Sequence, residues 1–295
     1  MDKSKLKKLL KLVFQIAIAG VAIYFVLGEI DVEEYKSRLL GIDLLWLLMA
    51  IIAFNASKVL SAFRLNIFFT ALGLKLQNNF NLKLYYVGML YNQVFPGGIG
   101  GDGYKVYLLN KQFKKPLKGL ISATLLDRIS GVVALGFLAF ILALIGGESY
   151  QLLGAYGFLL WIGLVVAYPA YYLLVHLIFP TFKKVNHITN IQALGVQSLQ
   201  VLCAFFMLKS FGITEGYLDY FTLFLVSSVA AALPISLPGG IGVREGVLVT
   251  GASMFLLNEN AAAAFASLFF LITLLSSLAG LFFLKQIKTK EQELN

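Results

Sequence analysis

Cysteine, histidine, proline and charge are all scarce in this chain. One cysteine, Cys203, stands among 295 residues, with two histidines and six prolines. A single thiol excludes an intramolecular disulfide and a cysteine-rich metal site. Lying inside an apolar run, Cys203 reads as a small packing residue. His176 and His187 stand apart near the ends of apolar segments, so no histidine pair with metal-ligand spacing exists. Only 13% of residues are charged, about half of the roughly 25% found in ordinary soluble domains. There is no G-x-x-x-x-G-K-[ST] loop, and no strand pattern precedes the glycine-rich stretches, which excludes a nucleotide loop. No serine, histidine and carboxylate set points to nucleophilic catalysis. The reading carries no cofactor and no metal, and it expects a protein that is not itself an enzyme.

What is abundant is apolar. Hydrophobic residues make up 59% of the chain, and mean hydropathy is +0.82. Long apolar segments argue for helices rather than barrel strands, hence an all-α polytopic integral membrane protein. The net charge of +9 belongs to loops that set topology. Without a soluble recognition fold it gives no reason to expect nucleic acid.

Five lysines between Lys3 and Lys11 precede an apolar run over residues 12–28. The A-x-A pattern Ala17-Ile18-Ala19 falls too early in that run for cleavage, so the run reads as an uncleaved first span with a cytoplasmic amino end. Residues 29–43 are rich in acidic groups and read as an external loop or short amphipathic helix. A second span covers about 44–63 and carries Asn55 and Lys58, and Arg64, Lys75 and Lys83 follow on the cytoplasmic side. Further spans are expected over 120–145, 152–179 (with Pro169 as a candidate kink), 191–211 and 261–284. Between them lie apolar stretches too short to cross, 84–94 with 104–109 and 218–233 with 247–257, since a crossing needs ~20 residues. The first pair has basic flanks and the second does not. The expectation is six crossings plus two re-entrant hairpins of opposite entry, in an inverted repeat with both termini cytoplasmic. The whole forms one membrane domain, 1–295. Its halves are 1–150, with a hairpin near 84–110, and 151–295, with a hairpin near 218–257.

Each short pair meets at the same words, Pro96-Gly97-Gly98-Ile99-Gly100 and Pro238-Gly239-Gly240-Ile241-Gly242. Proline and glycine break a helix, and broken backbone at membrane depth persists only when buried or lining a cavity. A half-helix that starts there aims unsatisfied N–H groups and its positive dipole end at whatever fills the break. Two of them make a site for an anion such as a lipid phosphate. The plainer alternative is that the glycines only permit tight helix crossing.

Charge at membrane depth is costly and marks candidate sites. After Gly101, Asp102 is a candidate helix cap, and Lys105 lies one turn on, able to approach a phosphate or to pair with Asp102. Asp127 and Arg128 are adjacent, so they point to different helix faces. Arg128 suits bidentate phosphate binding while Asp127 holds a partner. Arg244 and Glu245 open the second half-helix. A structural alternative pairs Asp102 with Arg128, or Arg244 with Asp127. Lys58 reads as a side chain snorkelling to the cytoplasmic interface. Asn55, Asn92 and Gln93 read as interhelical hydrogen bonders. The many Phe and Tyr residues read as mostly lipid-facing or interfacial.

Three motifs together, residues 96–102 with Lys105, Leu126-Asp127-Arg128-Ile129-Ser130-Gly131, and 238–246, resemble the lysylphosphatidylglycerol synthase transmembrane family, also called flippase-like domain proteins. The resemblance runs through essentially the whole chain. Arginine is the expected residue where Lys105 stands; lysine keeps the charge but is a weaker bidentate ligand. The resemblance implies an inner-membrane protein of paired re-entrant hairpins. In multiple-peptide-resistance-factor proteins, a related region is associated with moving aminoacylated phosphatidylglycerol between leaflets, beside a soluble synthase domain. The chain given ends at Asn295, so a stand-alone member without synthase activity is expected. The expected partner is a membrane lipid, either an anionic phospholipid or a polyprenyl phosphate. The alternatives are a membrane subunit for a separate synthase or glycosyltransferase, or a membrane-embedded transferase acting on a lipid-linked substrate.

Overall fold

The computed structural model describes residues 31–95, 99–145, 151, 154–232, 240 and 242–293. The expected first span lies outside them, as do Pro96, Gly97, Gly98, Pro238, Gly239 and Ile241. Among these residues ten α-helices follow in order: α1 (Val32–Leu40), α2 (Leu44–Ala71), α3 (Asn78–Val94), α4 (Gly100–Phe113), α5 (Leu117–Ile145), α6 (Phe158–Ile178), α7 (Asn186–Ser210), α8 (Tyr217–Ala232), α9 (Val243–Met254) and α10 (Glu259–Glu293). Among the described residues there is no strand. The chain is an all-α polytopic membrane protein, and among the described residues five helical segments are long and apolar enough to cross a bilayer: α2, α5, the segment Gly154–Ile178, α7 and α10.

Local chemistry starts the first two helices. The Asp31 carboxylate accepts from the backbone N–H groups of Glu33 and Glu34, and Asp43 does the same for Leu45 at 2.8 Å and Trp46 at 3.3 Å. Helix α2 runs on past residue 63 to Ala71, so Arg64 belongs to a helix and not to a cytoplasmic loop. Helix α6 continues through Pro169 and buries only Tyr171 and Val175, which leaves it at the periphery.

The packing pairs fall into two matching sets. Helix α2 lies along α7, α10 along α3, and α5 along α8. The short pairs pack on themselves, α3 with α4 and α8 with α9, and each leads to the next long helix, α4 to α5 and α9 to α10. Exchanging α2–α5 for α7–α10 maps the α2–α7 contact onto itself and each of the other contacts just named onto another.

Two apolar cores result. One gathers the first part of α2 with α7, α8, α9 and α10; the other gathers the end of α2 with α3, α4, the start of α5 and α6. Some aromatic residues are internal: Phe54, Phe68, Phe69, Phe182, Phe224 and Phe265 are among the largest fully buried side chains. These rings fill the gaps between long helices and meet edge to face, as Phe68 meets Phe182 and Phe224 meets Phe269. Between the cores runs a polar layer in which Ser57, Ser61, Arg64, Asp127, Ser130 and Gln197 are all buried.

Candidate functional site

The polar layer opens into a cavity of ≈ 230 Å³. Its charged lining is Arg64 from α2, Asp102 and Lys105 from α4, and Asp127 and Arg128 from α5; α7 adds Gln197 and α3 adds Tyr85 and Asn92. At 1.5 Å per residue, Arg64 and Asp127 lie about 10 to 15 Å inside the nearer ends of α2 and α5.

Adjacent residues on α5 diverge, as helix geometry requires. Asp127 faces α2, where Arg64 Nε donates to its carboxylate at 2.8 Å and Arg64 Nη2 donates to its backbone carbonyl at 3.1 Å. Arg128 faces α4 and donates through Nε to Asp102. The other Asp102 oxygen accepts from Lys105 Nζ at 3.1 Å. The Lys105 ammonium also stands 4.6 Å over the Tyr85 ring. Three cations and two carboxylates thus share one cavity, an excess of one positive charge. Arg64 Nη1 and Gln197 Oε1 are buried and have no hydrogen-bond partner among the described residues.

Asp102 is not a cap. The N-cap of α4 is Ile99, which makes no side-chain cap bond, and Asp102 lies in the first turn with its oxygens spent on two cations. Gly100 and Gly101 serve close approach. A Cβ on Gly101 would come within 2.0 Å of the Gly88 carbonyl oxygen, and one on Gly100 within 2.5 Å of Phe95 Cβ. The Gly101 N–H is already donated to Asn92 at 2.8 Å. Asn92 and Asn55 both bridge helices, the latter accepting from Tyr86 and donating to Ser276.

The second break is built differently. Gly240 and Gly242 hold φ of 79° and 82°, in the left-handed region that favours glycine. The Gly242 N–H donates to the Glu245 carboxylate at 2.7 Å, closing the start of α9. The Arg244 guanidinium is buried 4.6 Å from the Phe269 ring centroid. Gly240, Gly242, Arg244 and Glu245 lie outside the lining of the charged cavity. Lys58 stands near the midpoint of α2, about 20 Å from either helix end, with its ammonium 4.4 Å over Phe54.

Sequence reasoning brought Asp102, Lys105, Asp127 and Arg128 forward and missed Arg64, Tyr85 and Gln197. A signal for Arg64 was present: Ser57, Ser61 and Arg64 recur at helical spacing and form a polar stripe along α2. Among the described residues no group of three or more His, Cys, Asp or Glu side chains converges in a way that could hold a metal.

No curated protein matches the chain. The family model of the lysylphosphatidylglycerol synthase TM region matches residues 12–280, which takes in both breaks and the whole charged cavity. The chain belongs to that family of membrane proteins.

Proposed function

We propose that the charged cavity binds the anionic head group of a membrane lipid and that the protein carries this lipid between leaflets. The observation that supports this most is the uncompensated charge. Among the described residues three cations meet two carboxylates in the cavity, and Arg64 Nη1 is buried without a hydrogen-bond partner. Unpaired buried charge is costly, and a phosphate-type head would supply both the missing charge and the missing acceptors. Arg128 is the most exposed of the three cations, its side chain 31% accessible against 6% each for Arg64 and Lys105. It is the group best placed to leave Asp102 for a ligand.

In this reading the short helices form re-entrant hairpins. Helices α3, α4, α8 and α9 have 17, 14, 16 and 12 residues, each under the ~20 needed to cross. The first hairpin enters from the cytoplasm and the second from outside, in a cytoplasmic membrane with both termini inside. Arg244, Gly240, Gly242 and Glu245 form the second half-helix start, a waypoint for the same head. Transport draws on no bound nucleotide, and the protein is a carrier rather than an enzyme.

The test is leaflet exchange of fluorescent phospholipids in liposomes holding the purified protein. Exchange of an anionic lipid should exceed that of a zwitterionic lipid with the same chains, and Arg128→Gln should abolish the excess. Equal exchange for both heads, unchanged in the variant, would count against carriage through this cavity. Stable co-purification with a soluble synthase, without lipid movement, would favour the subunit alternative.

A further inference from the structure

A second cavity lies beside the first, and its chemistry is the opposite. It measures ≈ 620 Å³, and its wall is almost wholly hydrocarbon, from α5 (Ala139, Phe140, Ala143), α6, α8 and α9. Helix α5 runs through both cavities. Arg128, Gly131 and Leu135 line the charged one, and Ala139 and Ala143 continue the same i, i+4 stripe into the apolar one. Helix α8, packed against α5, repeats the order in reverse: Ala232 borders the charged cavity, while Thr222 and Val226 border the apolar one. Only one helical turn, about 6 Å, separates Leu135 from Ala139. A small charged chamber therefore has, one helical turn further along α5, an apolar chamber more than twice its volume.

We infer that the apolar cavity holds a hydrocarbon chain of the same lipid whose head occupies the charged cavity. This rests on the proposed head-group site and deepens it, because it specifies a compact anionic head joined to a long tail. Head and tail are ordered along α5 from its Leu117 end, which is the orientation of a lipid from the leaflet at that end. The groove also explains an asymmetry between the breaks. The second hairpin presents Val247, Thr250 and Met254 to it, apolar or weakly polar groups where the first hairpin presents Asp102 and Lys105. Bulk lipid gains almost nothing by entering an apolar groove from an equally apolar bilayer. Occupancy must therefore be set by the head, and it should depend on head-group charge.

The experiment uses the full-length protein in nanodiscs and two lipids with a diazirine at mid-chain. They share acyl chains and differ only in carrying a phosphoglycerol or a phosphocholine head. After irradiation, adducts are mapped by mass spectrometry. The anionic probe should label α9 and the 139–143 part of α5 about tenfold more than the zwitterionic one, the weight of one charge-assisted contact. Thr250→Trp, at an exposed lining position, should remove that labelling while retention of anionic lipid on the purified protein persists; Val247→Phe serves as a second filling variant. Equal labelling by both probes, with anionic retention intact, would overturn the tail assignment alone. If neither retention nor labelling depends on the head, the head-group site and the tail site fall together.

Discussion

After the first glycine-rich break, α4 turns Asp102 and Lys105 into a cavity that also receives Arg64, Asp127 and Arg128. After the second, Glu245 folds back to close its own helix start, Arg244 lies on the Phe269 ring, and the neighbouring cavity is hydrocarbon. Both breaks read Pro-Gly-Gly-Ile-Gly. In both places a helix starts at or just after the last glycine of the motif, α4 at Gly100 and α9 after Gly242, although the backbone differs. The residues two to five places further on set the chemistry. One repeated motif thus starts two helices whose surroundings differ, charged beside the first and hydrocarbon beside the second.

The largest effect should come from the buried pair that braces the first region. Asp127→Ala leaves Arg64 buried without its carboxylate and should destabilise the protein by about 3–5 kcal/mol, read as a lowered melting midpoint in detergent. Arg64→Met together with Asp127→Leu should recover much of the loss. A midpoint unchanged by Asp127→Ala would remove this pair as a brace.

Glycine substitutions should separate the two ways of making a break. Gly101→Ala pushes a Cβ into the Gly88 carbonyl and should cost about 1–3 kcal/mol by forcing α3 from α4. Gly242→Ala should cost a similar ~1–3 kcal/mol through its backbone angle alone. Gly103→Ala is the control. Its Cβ would meet nothing within 4 Å, so helix propensity should make it neutral or stabilising by up to about 1 kcal/mol.

Cation removal sharpens the contrast in binding. Arg128→Gln should weaken anionic-lipid binding about tenfold, roughly 1.4 kcal/mol, and Arg244→Gln should weaken it less. The reverse order would move the head-group site to the second break.

The smallest effect lies outside the membrane, at the joint between α1 and α10. Glu34 accepts from Arg38 at 2.7 Å, from Asn258 at 3.2 Å and from Asn260. The Arg38 hydrogen bonds dominate and hold its carboxyl below the usual range. A depressed carboxyl contributes stability above its unfolded pKa and loses it as pH falls through the folded one. The clasp should thus weaken below about pH 4.5, by only a few tenths of a kcal/mol after solvent screening. Glu34→Gln should flatten that part of the acid limb in a stability–pH profile.

Much of this was legible in the sequence for identifiable reasons. Apolar length announces α2, α5, α7 and α10, and Pro-Gly-Gly announces the breaks. Asp127 and Arg128 announce themselves because charge is so rare in their surroundings. Arg64 was hidden because it follows an apolar run that already looks long enough to be a span; only the stripe Ser57, Ser61, Arg64 extends the helix past it. Gly88 and Gly101 were hidden as partners, since two glycines 13 positions apart meet only once the hairpin folds. The apolar cavity had no sequence signal at all, because Ala139, Val226 and Thr250 look like any membrane-facing residues until four helices enclose a space.

The central claim is that the charged cavity holds an anionic head, and native mass spectrometry of the protein released from mixed-lipid nanodiscs tests it most directly. Phosphoglycerol lipid should be retained on the wild type and clearly diminished on Arg128→Gln and on Lys105→Met protein that still folds, with little phosphocholine lipid on any of them. Retention that ignores head-group charge, or that survives both substitutions undiminished, would contradict it.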